Sequence, residues 1–84
     1  MPKTPAEFII HPCETLKDIL IDRNLLVEDL IRGTQFPIQY VIDFMAGQAS
    51  VTRDFAYALD RYLDIDASFW INLQMFYDAE LRGN

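Results

Sequence analysis

The stretch QFPIQYVIDFMAGQASV, Gln35 to Val51, decides how this chain is read. Phe36-Pro37 marks a turn between two helices: proline presets φ for a first helical turn and has no N–H to lose there, so Pro37 opens the second helix. Gly47 suits the left-handed residue that ends it. The short helix between them carries no Lys or Arg and one acid, Asp43. Its bulky apolar side chains cannot all face inward, so the question it raises is what its outer face touches.

Working outward, apolar residues recur at helical spacing on both sides. His11-Pro12 starts a first helix with Leu16, Ile19, Leu20 and Arg23 on one face and Glu14, Lys17, Asp18 and Asp22 on the wet one. A second spans Val27 to Gly33, with Val27, Leu30 and Ile31 directed inward and Glu28 and Asp29 at the end where the helix dipole favours negative charge. Thr52 caps a fourth, whose Phe55, Ala56, Leu59, Tyr62 and Leu63 form an inward stripe. Asp66 caps a fifth, ASFWINLQMFYDAELRG, which is apolar around most of its circumference and is therefore central or at an interface. The whole reads as an all-α bundle of five helices. It forms a single domain over residues 1–84, with an N-terminal arm at 1–9, the paired helices at about 27–46 and the last helix at about 67–82.

Composition narrows the function. Eighty-four residues allow one small domain, and 51% hydrophobic residues give it a core. Thirteen acids against seven Lys plus Arg leave a net charge of −6, unlike the basic face that phosphate contact favours. That balance points to a basic protein partner, or to a DNA binder whose few cations are concentrated locally. One cysteine excludes an internal disulfide, and no apolar run approaches the ~18 residues of a membrane span. No signal-peptide core is evident, so a soluble cytoplasmic protein without membrane contact is expected.

Two helices joined by a short turn, with Phe36 beneath, match the helix-turn-helix pattern. More specific blocks flank it. IHPCETLKDIL resembles the IHPGE-x-L-x-x-x-L opening of HigA-type antitoxins, the antidotes of a bacterial toxin–antitoxin system within the Cro/repressor-like (XRE) helix-turn-helix family. LDIDASFWINLQMFYD resembles that family's closing block, SPEFWLNLQ-x-x-YD. Arg23, Leu25, Leu30, Gly47, Ser50, Thr52, Ala56 and Leu59 fall at family positions between them, so the similarity covers about residues 9 to 80.

The resemblance implies a five-helix lambda repressor-like domain that dimerises with itself. It also implies repression of the protein's own operon through the third helix in the major groove, and silencing of an mRNA-cleaving ribonuclease toxin. No enzymatic activity of its own and no cofactor are implied. The DNA-facing positions fall on Val27, Pro37, Gln39, Tyr40, Asp43 and Gln48, with Arg53 beginning the helix after the loop that borders DNA. In this alignment Val41, Phe44 and Met45 turn inward and leave Ile38, Tyr40 and Ile42 on the DNA side. Where the family has a Ser-Gln pair, a turn glycine, an outer-face Arg and an Asn-Gly-Lys-Arg loop, this chain has Leu26-Val27, Gln35, Asp43 and Ala46-Gly47-Gln48-Ala49. An acid near phosphates weakens operator binding. Gln39 is suited to adenine, Asp43 to cytosine, and Tyr40 to a phosphate or a thymine methyl. The alternative reading is a protein-interaction module on the same scaffold, acting through Ile38, Tyr40 and Ile42 or the fifth helix.

Other constellations have plainer explanations. His11 and Cys13 lack the further ligands that zinc needs, so no metal site is expected, and His11 serves to start its helix. Asp64 and Asp66 occupy helix-end positions rather than an acid–base pair. Phe69 is expected in the core, and Trp70 and Leu73 in the core or, with Ile38 and Ile42, at a dimer or partner interface.

Overall fold

The computed structural model describes residues 9–83; the expected N-terminal arm lies outside the described residues but for its last residue, and so does Asn84. Five α-helices follow one another: α1 Pro12–Asp22, α2 Val27–Thr34, α3 Ile38–Met45, α4 Arg53–Leu63 and α5 Ala67–Arg82. None of the described helices is long and apolar enough to cross a membrane.

Side-chain caps set most of the boundaries. His11 is the N-cap of α1: its Nδ1 accepts from the Cys13 N–H at 2.9 Å, and Pro12 fills the first helical position. Thr52 Oγ1 accepts from Phe55 N–H at 3.1 Å to start α4, and Asp66 Oδ1 accepts from Ser68 N–H at 2.9 Å to start α5. Leu26, the N-cap of α2, has no acceptor of its own. Asp29 reaches back instead and accepts from the Leu26 N–H at 2.9 Å. Pro37 lies one residue outside α3, as its N-cap.

The core gathers Leu16 and Leu20 of α1, Leu30 of α2, Val41 and Phe44 of α3, Phe55, Leu59 and Leu63 of α4, and Trp70 of α5. Phe36 enters from the turn, its ring 5.0 Å from that of Phe55, and so pins α3 against α4. At the other end, the Arg23 guanidinium donates to the Leu63 carbonyl and ties the end of α1 to that of α4.

Three expectations change. Val27 is 37% exposed, because the first residue of α2 overhangs an open apolar groove beside Ile21 and Leu26. Phe69 is 40% exposed, whereas Trp70 is fully buried. The inward stripe of α5 runs Ala67, Trp70, Gln74, which turns Phe69 outward and removes Trp70 from any interface surface. Leu73 is half-buried against the core.

Candidate nucleic-acid interface

Helices α2 and α3 and their turn form a helix-turn-helix. Thr34 is buried at the end of α2, where its hydroxyl donates back to the Leu30 carbonyl at 2.7 Å. Gln35 then takes the left-handed conformation, φ 58°, which reverses the chain where the family pattern has glycine.

The inner side of α3 is Val41 and Phe44, both fully buried, with Met45 packed beside them. Exposed on the outer side are Ile38 at 60%, Ile42 at 47% and Gln39, with Asp43 partly exposed. Gln39 and Asp43 stand one turn apart and are joined by a 2.8 Å hydrogen bond from Nε2 to Oδ1. Asp43 therefore does not project as a free acid.

Tyr40 departs from the sequence expectation. Its ring turns away from the outer face and packs between Phe36 and Phe55, at 5.5 and 5.0 Å. Its hydroxyl donates to the Ser50 carbonyl and accepts from the Thr52 N–H at 3.4 Å. Burial pushes this phenol above its ordinary range, so it stays protonated and able to donate. Tyr40 is thus a brace for the following loop rather than a residue of the outward surface.

That loop, residues 46–52, is held from three helices, and this bracing was absent from the sequence reading. Gly47, φ 79°, follows α3 in a double closure: Gly47 N–H donates to Phe44 O at 2.9 Å and Gln48 N–H to Asp43 O at 2.8 Å. Beyond it, the His11 Nε2–H donates to the Ala49 carbonyl at 2.8 Å. Tyr40 holds Ser50 and Thr52. From α5, the buried Gln74 accepts the Val51 N–H on Oε1 at 2.8 Å and donates through Nε2 to Asp78 at 2.9 Å. The loop presents an exposed Gln48 and leads into an exposed Arg53 that makes no ion pair among the described residues. Both nitrogens of His11 are committed, one to its helix and one to the loop. The thiol of Cys13 is buried, and that burial pushes its pKa up.

The structure thus sets Ile38, Gln39, Ile42 and Asp43 together on α3, with Gln48 and Arg53 on the adjoining loop and helix start. Tyr40 and Trp70 belong to the packing behind them. A five-helix domain with a braced loop after an outward-facing third helix defines the helix-turn-helix class of the Cro and repressor type.

No protein-family model and no curated protein match the sequence. Solved structures do. The antitoxin HigA of Pseudomonas aeruginosa, in a structure with the higBA promoter, is 32% identical over 87% of this chain and 80% of its own, with a TM-score of 0.82. A Pseudomonas aeruginosa protein in complex with its 28 bp operator DNA is 34% identical over 87% of this chain and 81% of its own, with a TM-score of 0.82. An addiction-module antidote protein of the HigA family from Coxiella burnetii is 29% identical over 86% of this chain and 79% of its own, with a TM-score of 0.78. The chain belongs to the HigA family of antitoxins.

Proposed function

We propose that the protein is an operator-binding antitoxin. In this reading it dimerises, represses its own operon through α3 in the major groove, and captures a basic ribonuclease toxin. The observation that carries the proposal is the fold match to operator-bound relatives, 34% identical in one case, together with an α3 whose outer side is open. The same match gives no support to the reading as a module that has lost DNA recognition.

Charge suits the toxin-binding half. A net charge of −6 repels phosphates at long range but attracts a cationic protein and speeds its capture. Contact with DNA then depends on a few local groups, Arg53 foremost, and on backbone N–H donors in the loop. For the dimer, the apolar outer side of α5 with Met75 and Phe76, 62% and 71% exposed, is a better surface than Trp70. The protein acts without a catalytic step, as a soluble cytoplasmic partner.

The test is co-expression with the product of the gene beside its own in the genome. Arrest of growth by that product alone, relief by this protein, and recovery of the two as one complex are expected. A neighbour that is harmless, or whose toxicity this protein does not relieve, refutes the antitoxin half.

A further inference from the structure

We infer that Asp43 is a positioning residue that orients Gln39 to read adenine, and that Ile38 and Ile42 beside it read thymine methyl groups. The operator half-site is then specified by A·T pairs and contains no guanine contacted by α3. The inference rests on the DNA-binding reading above and names the base chemistry of that site.

The geometry begins with the bond from Gln39 Nε2 to Asp43 Oδ1, 2.8 Å. A carboxylate can only accept, so the amide must turn its nitrogen toward Asp43 and its Oε1 away. One amide hydrogen is used in this bond. Oε1 and the second N–H remain, and they are the acceptor–donor pair that meets N6–H and N7 of adenine. Guanine shows two acceptors on that edge, and its O6 would face Oε1 lone pair to lone pair. The residues that read guanine, Arg and Lys, are missing from α3 altogether.

Helical geometry sets the neighbours. At about 100° per residue, Gln39 sits near the centre of the outer side, opposite the buried Val41 and Phe44. Asp43 flanks it on one edge, and Ile42 and Ile38 flank it on the other, both well exposed. In the major groove only the thymine methyl offers an apolar contact to such side chains. An acid on a DNA-facing helix also acquires a reason: it fixes the amide that does the reading, at the cost of some phosphate repulsion.

The experiment selects preferred duplexes from a random pool with the full-length protein. The Kd of the selected duplex is then compared with that of the same duplex carrying guanine for each contacted adenine, and uracil for each contacted thymine. Adenine-to-guanine changes are expected to weaken binding about 5- to 150-fold. Each lost methyl is expected to weaken it about fourfold. Asp43→Ala should tighten binding to the guanine-bearing duplexes, which lose only a repulsive charge, while the adenine preference collapses toward unity. Asp43→Asn, which can still accept from Gln39, should keep the preference. Selected sites with guanine at the contacted positions, indifference to uracil, or an Asp43→Ala protein that keeps its discrimination would each overturn the inference while leaving DNA binding intact. Failure to bind any duplex would overturn the DNA-binding reading, and this inference with it.

Discussion

Replacing Gln74 by Leu should loosen the loop that joins α3 to α4, although Gln74 lies on α5 and 23 positions from the backbone group it holds. Leu, one methylene shorter, keeps an apolar side chain at this buried position but removes the acceptor for the Val51 N–H, which sits in a partly buried environment. Leaving such a donor unpaired costs about 1–2 kcal/mol, the lower part of the range for buried groups because water can reach this one in part. For a domain this small, that loss should lower Tm by roughly 4–16 °C.

The local effect is more diagnostic than the global one. Exchange of the Val51 amide hydrogen should accelerate strongly, while amides in the middle of α4 change only by the global loss of stability. Tyr40→Phe removes the neighbouring anchor on Ser50. If the two side chains hold one cooperative loop, the double variant should cost less than the sum of the single ones. Hydrogen exchange followed by NMR, with thermal unfolding by circular dichroism, measures both. A Val51 amide that exchanges in Gln74→Leu as slowly as in the wild type, at unchanged Tm, would show that Gln74 does not hold this loop.

Other substitutions probe the same framework. A Cβ built at Gly33 on α2 clashes with one edge of the Tyr62 ring of α4, 2.7 Å from Cζ and closer still to Cδ1 and Cε1. Gly33→Ala should therefore destabilise by about 1 kcal/mol net, overpacking of about 1–3 kcal/mol outweighing a helix-propensity gain of about 1 kcal/mol. With Tyr62→Ala in the background the sign should reverse, and urea unfolding of the four proteins reads the cycle. Gln35→Gly should stabilise by about 1 kcal/mol, since Gln35 holds φ 58° that glycine adopts freely, as a raised urea midpoint would show. Asp66 is held below its ordinary 3.8 by hydrogen bonds from the Ser68 backbone and hydroxyl. A depressed folded value stabilises above the unfolded pKa and fades as pH falls through the folded one, so Asp66→Ala should be less stable than wild type at neutral pH and converge with it in acid. Thermal melts from pH 7 to pH 2 follow that convergence.

The elements of this fold are legible in the sequence because their ends carry local chemistry. Pro12, Thr52, Asp66 and Gly47 each act within a few residues of where they stand, and their roles in the structure are those their types suggest. Faces are legible only where polarity alternates. On α4 the stripe of Phe55, Ala56, Leu59 and Leu63 is unambiguous, and all four are buried. On α5 the helix is apolar nearly all round and its inward stripe includes a glutamine, so periodicity cannot tell Phe69 from Trp70.

The outward residues of α3 follow from helical spacing, but the brace behind them does not. The bond from His11 to Ala49 spans 38 positions. Tyr40 looks like a surface aromatic until the loop that its hydroxyl holds is seen. The bond between Gln39 and Asp43 needs only the spacing of one helical turn and was open to sequence reasoning, which set Asp43 against phosphates and cytosine rather than against its neighbour on the helix.

The most direct test of operator recognition is fluorescence anisotropy of labelled DNA from upstream of the protein's own gene, titrated at low and at physiological salt beside a scrambled duplex. Binding that prefers the upstream duplex and persists at physiological salt is the expected result: with so few cations near α3, little of the affinity can come from counterion release. Equal affinity for both duplexes, or no binding even at low salt, would contradict operator recognition by α3.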